Sequence, residues 1–307
     1  MNLPKYVLQR VIQTIPMLLF VLVLVFSLTR LTGDPASLML GDAATNESVG
    51  ALRDQWGLND PLLIQFWDYI RNLLTGDMGA SLRYSRPVAD LIGERLMASM
   101  VLVTASVIIS VVVSVPLGVL AARRWNRKED TLIRLFVVVG QAVPRFYLGI
   151  LLMLLFGLRL RWLPTSGYGT WKHLLLPAFT LATPTIALLT RLVRSSMLEV
   201  LSADYIRTAR AKGLGERSVV YRHALRNALM APITMLAIQA AQLVGSAVVV
   251  EQVFGWPGLG RLALDAIYAR DFPLIQGIVL ILCLIVIVTN LVVDVSYGFI
   301  NPQARAS

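Results

Sequence analysis

The sequence predicts an all-α membrane protein with six transmembrane helices, and three observations carry that reading. Of its 307 residues, 56% are hydrophobic and only 15% are charged, where a soluble domain has about 25%; mean hydropathy is +0.69. The apolar residues gather in long uncharged runs, and a backbone crossing lipid must satisfy its own hydrogen bonds, which a helix does. The net charge of +10 is concentrated between Arg123 and Lys128 and between Arg191 and Arg226, a positive-inside pattern rather than a nucleic-acid-binding surface.

Val11 to Thr29 is the first run, 19 uncharged residues behind Lys5 and Arg10. Its apolar core exceeds the roughly 7–15 residues of a secretory signal and no A-x-A site follows, so residues 1–31 read as a retained helix with a cytoplasmic N-terminus. Residues 32–95 are the largest polar segment and read as a small extracytoplasmic helical subdomain between helices 1 and 2. Leu62, Leu63, Phe66, Trp67, Ile70, Leu73 and Leu74 form an apolar stripe at helical spacing, resting on the membrane surface. Asp60 is placed to cap this helix, Pro61 to fill its first position and Gly76 to stop it.

Residues 96–299 hold the other five spans. Leu96 to Ala122 is 27 residues without a charge, enough to cross about 30 Å of hydrocarbon with tilt to spare. Pro116 is a kink site within it. Arg123, Arg124, Arg127 and Lys128 put its end in the cytoplasm. Leu135 to Leu158 is the third span, interrupted by Pro144 and Arg145. An outer loop with Trp162, Tyr168 and Trp171 as interfacial anchors leads to the fourth span, Leu174 to Thr190, where Arg191 and Arg194 snorkel at the inner end. Ala231 to Val250 is the fifth span and contains Gln239 and Gln242. EQVFGWPGLGRL at 251–262 is an outer turn, Leu274 to Val293 is the sixth span, and 300–307 is a short cytoplasmic tail. Six spans put both termini in the cytoplasm.

Between the fourth and fifth spans lies a basic cytoplasmic loop, 195–230. Within it Ala203 to Lys212 reads as a helix about 15 Å long. Ser202 is its candidate cap, Asp204 lies in the first turn, Arg210 and Lys212 in the last, and Gly213 supplies a left-handed stop. Thr208, Ala209, Ala211 and Gly213 are small and let another protein come close.

DYIRTARAKG followed by HALRNAL resembles the cytoplasmic EAA loop of binding-protein-dependent ABC importers, most of all that of the first permease subunit in the dipeptide, oligopeptide, nickel and glutathione group. Arg207, Thr208 and Ala209 match the loop's core and Gly213 its glycine, while the Leu-Pro pair that ends the loop is Ala231-Pro232 here. Gly33-Asp34-Pro35, Gly57-Leu58, Gly76-Asp77, the 251–262 turn and Asn301-Pro302 extend the resemblance over nearly the whole chain. The resemblance implies a type I importer (MetI-like) permease fold in the bacterial inner membrane. It implies a second homologous permease subunit, two ABC ATPase subunits, and an extracytoplasmic substrate-binding protein for which 32–95 is a landing surface. It also implies ATPase coupling through Asp204, Tyr205, Arg207, Thr208, Ala209, Lys212 and Gly213. Short peptides, nickel chelates, glutathione and similar solutes are the implied cargo. WLPTSGYGTW at 162–171 is reminiscent of the nickel branch and QFWDYI at 65–70 of the glutathione branch. No cofactor is expected on this chain, since ATP and magnesium belong to the partner ATPase subunits.

The residues agree with a chain that has no energy source of its own. Lys5, Lys128, Lys172 and Lys212 each follow a residue other than glycine, so no Walker A loop exists to cradle phosphates. The alternative, an ion- or proton-coupled carrier, calls for acids or histidines in mid-membrane, whereas Glu251 and Asp294 lie at span ends. An intramembrane enzyme finds no nucleophile or zinc motif. His173, His223 and the single Cys283 offer no metal-ligand cluster.

Arg145 is the one charge well inside a span. Counted from Leu135 along a straight helix it lies about 15 Å deep, where a charge costs at least about 2.5–3.5 kcal/mol and should face a wet cavity or a partner. Two readings stay open. It is a translocation-path guanidinium suited to a carboxylate such as a peptide C-terminus, or it bonds carbonyls of the second permease or reaches an interface. Gln239 and Gln242 are likewise candidate path residues or interhelical hydrogen-bonding groups.

Overall fold

A computed structural model describes residues 3–31, 37, 45–55 and 57–300. Gly33-Asp34-Pro35, Asn301-Pro302, the tail beyond Ile300 and the side chain of Asp294 lie outside the described residues. In chain order the helices are α1 (Leu3–Leu31), α2 (Asn46–Gln55), α3 (Leu62–Leu74), α4 (Val88–Arg123), α5 (Lys128–Ala142), α6 (Arg145–Leu152), α7 (Trp171–Leu201), α8 (Asp204–Ala211), α9 (Glu216–Ser218), α10 (Leu225–Ala228), α11 (Met230–Phe254), α12 (Leu259–Tyr268) and α13 (Phe272–Ile300). Wider π turns continue α6 over Met153–Arg159 and join α9 to α10 over Val219–Ala224.

Among the described residues, α4, α7, α11 and Phe272–Val292 of α13 are each long and apolar enough to cross a membrane. The third predicted span is not one straight rod. α5 and the π-extended α6 qualify only together, and they are bent by 110°. The residue before a proline is pushed out of the helical region, and Val143 is accordingly extended, at φ −79° and ψ 124°. Pro144 follows at φ −59° and ψ 138°, and α6 restarts at Arg145. The straight-helix depth of Arg145 therefore does not hold, because the residue sits at a corner. Pro116, by contrast, lies within a helix that continues past it.

The chain divides into two compact units, one up to Ser99 and again from Pro257, the other from Met100 to Trp256. In the first, α1 runs along α13, and α12 packs on α13. Its core joins Val88, Leu91 and Ile92 of α4 to Leu259, Leu262 and Ala266 of α12 and to Leu274 and Ile278 of α13. Side chains of that size contribute about 1.5–3 kcal/mol each when wholly buried. Asp271, wholly buried, caps α13 by accepting from the Leu274 N–H at 3.3 Å, and it also accepts from Ser81 Oγ and from the Arg83 N–H. The apolar stripe of α3 is split. Phe66 and Tyr69 meet the ring of Phe26 at 5.2 and 5.9 Å, while Leu63, Trp67 and Leu74 stay exposed. Asp60 does not cap α3; Pro61 is the capping residue, and its carbonyl accepts from Ile64 and Gln65.

In the second unit α7 is the central rod. α5, α6 and α11 all pack on it, and its buried face runs from Leu176 to Met197. It extends seven residues beyond the predicted loop start, so Ser195–Leu201 is helix and the loop proper opens at Ser202. Pro232 lies in the first turn of α11, where no intrahelical N–H is required.

Candidate functional site

The loop between α7 and α11 folds into a compact cap on the C-terminal end of α7. α8 is eight residues long, two fewer than the sequence suggests, and so about 12 Å in length. Ser202 does not cap it: its hydroxyl donates to the Glu199 carbonyl at 2.7 Å, closing α7 instead. Ala203 occupies the cap position and makes no side-chain bond there. Asp204 stands in the first turn as expected, favourable to the helix dipole.

The other end matches its sequence signal. Gly213 has φ +78°, and the Gly213 N–H donates to Arg210 O at 2.9 Å while the Leu214 N–H donates to Ala209 O at 3.4 Å. This paired closure is the Schellman arrangement, and it needs a residue that tolerates the left-handed region. Arg210 then reaches across the turn to Glu216 with two bonds of 3.1 and 3.0 Å. The hydrogen bonds from Arg210 hold the Glu216 carboxyl below the usual carboxylate range.

What holds α8 in place is Ile206, which no sequence motif singled out. Its side chain is fully buried among Val119 and Ala122 of α4, Val193 and Met197 of α7, and Val219, Val220, Ala224 and Ala228. Ala209 packs inward beside it, so its small side chain brings α8 close to its own core. Tyr205 is half-exposed, and its hydroxyl accepts from Asn227 Nδ2 at 2.9 Å. Asp204, Arg207, Thr208, Ala211 and Lys212 face outward. Arg207 and Asp204 approach at 3.5 Å with both side chains exposed, a pairing of little stability value. Arg123, Arg217 and Tyr221 line an open cavity of about 440 Å³ nearby in the same unit. The apolar period of the loop, with Ile206 flanked by polar residues, is the signal that could have found this anchor.

Arg194 departs from its predicted snorkelling. Its Nε and Nη2 donate to Asp130 Oδ1 and Oδ2 at 2.6 and 2.8 Å, and Asp130 is wholly buried. Asp130 also accepts the Asn126 N–H at 3.1 Å. The sequence signal was a lone acid pair closing the basic run RRWNRKED.

Arg145 is half-buried at the start of α6, and its Nε is buried with no hydrogen-bond partner. Gln239 is half-buried and Gln242 exposed on α11. α6 does pack on α11, but no hydrogen bond joins Arg145 to either glutamine among the described contacts.

Two sequence profiles match the chain. That of the binding-protein-dependent transport system inner membrane component covers residues 114–306, and that of the N-terminal part of such components covers 3–103. The chain belongs to this family. It is a permease of a binding-protein-dependent ABC importer, a multi-pass protein of the inner membrane, and in such importers ATP hydrolysis belongs to separate subunits. The family gives the ion- or proton-coupled carrier no support. The permease is 46% identical over 302 residues to the glutathione transport system permease protein GsiC of Salmonella typhimurium strain LT2, covering 98% of this chain and 99% of that one. It is 45% identical, with the same coverage, to GsiC of Escherichia coli K12. Among solved structures, the MetNI methionine ABC transporter in an inward-facing conformation gives a TM-score of 0.59 at 18% identity, over 69% of this chain and 96% of that one. An amino acid ABC transporter with histidines gives 0.53 at 15%, over 68% and 93%. The fold is thus that of MetI-like permeases.

Proposed function

We propose that this permease imports a small solute bearing a free carboxylate, a short peptide of the glutathione class, and that α8 is where an ATPase subunit docks. The observation that carries the docking is the seat of Ile206. A short helix anchored at one buried point and stopped at Gly213 transmits a push to α7 as a rigid body. Arg207, Thr208 and Lys212 are its outward contacts, with Asp204 and Tyr205 fixing its first turn and Ala209 its close seating. Six spans are counted when α1 and the bent α5–α6 pair each cross, which leaves both termini in the cytoplasm and residues 32–95 outside as a landing surface for the binding protein. A second homologous permease completes the path. ATP and magnesium stay on two ATPase subunits.

Arg145 is the candidate substrate anchor. A guanidinium held at a helix corner with an unpaired Nε is suited to a carboxylate, and the GsiC relatives are described as glutathione permeases. Gln239 and Gln242 supply neutral donors and acceptors along the same route. The test is uptake by transporters assembled with Arg145→Ala or Arg145→Lys. Import of carboxylate-bearing peptide falls at least about tenfold for the alanine variant, the loss expected for a charge-assisted pair, while a C-terminally amidated peptide is little affected. Equal kinetics for both cargoes in both variants would remove Arg145 from the path. Topology is checked with Cys283 replaced by serine and single cysteines at Asn46, Thr170 or Ser218. The first two react with an impermeant reagent from outside, and Ser218→Cys reacts only from the cytoplasm.

A further inference from the structure

The corner at Pro144 and the docking helix α8 do not touch in sequence, yet one rod lies between them. α5 and α7 run side by side and are joined at two levels. Near the corner the contact is smooth: a Cβ built on Gly140 would meet Thr183 Cγ2 at 3.4 Å and Ala187 Cβ at 3.6 Å. Between the two levels Ile133 and Val137 are buried on the same stripe of α5, and apolar contacts of this kind are non-directional, so they hold the helices together without selecting one register. At the cytoplasmic end the contact is the Asp130–Arg194 pair, a two-pronged ion pair around a wholly buried carboxylate. The spacing is consistent, since ten residues from Asp130 to Gly140 and seven to eleven from Arg194 back to Ala187 and Thr183 each rise about 10–16 Å. Buried pairs of this type contribute little net stability but fix register. Arg194 also stands between Val193 and Met197, the two α7 residues on which Ile206 of α8 is seated.

We propose that the Asp130–Arg194 pair is the link that carries displacement of α8 through α7 into α5, and so to the Pro144 corner that holds Arg145. Asp130 and Arg194 are positioning residues: neither meets substrate, and both set the register of the helix that presents the corner. This rests on the reading of α8 as the docking element. Without the pair, only non-directional apolar contacts hold α5 to α7, and a push on α8 is spent before it reaches the corner.

The experiment uses the full transporter, reconstituted with its permease and ATPase partners and binding protein, and reads ATP hydrolysed per substrate imported. Asp130→Leu with Arg194→Met removes both charges together, so no unpaired charge remains buried and the chain still assembles. The expected result is a rise of about tenfold in ATP used per substrate, the scale of mutations along a coupling route, with the melting temperature unchanged or raised. Arg194→Lys keeps the charge but cannot bridge both oxygens, and gives a smaller rise in the same direction. Glu129→Gln, on the same helix as Asp130, breaks the exposed pair with Arg124 and leaves the ratio at the parent value. An unchanged ratio in assembled Asp130→Leu/Arg194→Met overturns the proposal, as does a ratio raised equally by Glu129→Gln. Failure of the docking reading shows separately, as ATPase subunits that co-purify normally with an Ile206→Asp chain.

Discussion

The seat of α8 and the corner at Pro144 are opposites within one unit. At α8 every inward group is satisfied: Ile206 is buried, Tyr205 and Asn227 are bonded, and the helix end is closed by Gly213 and Leu214. Charge there faces outward. At the corner the backbone turns by 110° and the charge beside it keeps a buried Nε with no partner. A region that completes itself can move as a block, whereas a buried donor without a partner is free to bind one from outside the chain. The proposed docking element and the proposed ligand-facing corner rest on that contrast.

The largest effect that would break the contrast is at Ile206. Ile206→Asp buries an unpaired charge in the seat, and uptake and ATPase co-purification are both lost by at least about 100-fold, consistent with the several kcal/mol such a burial costs. Ile206→Val, at about 0.5–1.5 kcal/mol, keeps most of both.

Gly213 sharpens the same side. A Cβ at this residue would meet nothing within 4 Å, so the cost of substitution is backbone strain at φ +78° rather than a clash. Gly213→Val should cost about 1–2 kcal/mol, and ATPase affinity measured by titration drops about tenfold. Gly213→Asn, whose side chain tolerates the left-handed region, stays close to the parent.

Arg145 tests the other side by stability rather than transport. Removing a buried group that has no bond relieves a penalty of about 1 kcal/mol, so Arg145→Met transporters melt at the parent temperature or slightly above while carboxylate uptake falls. A substitution that instead melts the complex marks Arg145 as a structural bond to another chain.

Glu216 gives the smallest effect. Because Arg210 lowers its folded-state pKa, the contribution is full above the unfolded carboxylate value near 4.3 and is lost as pH falls through the lower folded value. The pair is exposed on both sides, so Glu216→Gln costs at most about 0.5 kcal/mol at neutral pH. The difference between variant and parent in thermal unfolding vanishes once the medium is acid enough to protonate the carboxylate.

Much of this permease is legible from its residues. Uncharged runs fix where helices must lie, because lipid supplies no partner for an open backbone, and α4, α7, α11 and α13 fall on the predicted spans. Gly213 was legible for a local reason, since a left-handed stop is a property of one residue. What the sequence could not determine were events that depend on which helix lies beside which. Ser202 and Asp60 have the right chemistry for caps, but Ser202 bonds backward to Glu199 and Pro61 takes the cap position at α3. Arg194 had a local reading as a snorkelling cation, and only the tertiary fold puts Asp130, 64 residues away, against it. Pro144 announced an interruption, yet the 110° turn is set by how α5 packs on α7 and α6 on α11. Periodicity and propensity act over a few residues and so are written in order along the chain, whereas partner choice for a buried charge is decided by packing between distant segments.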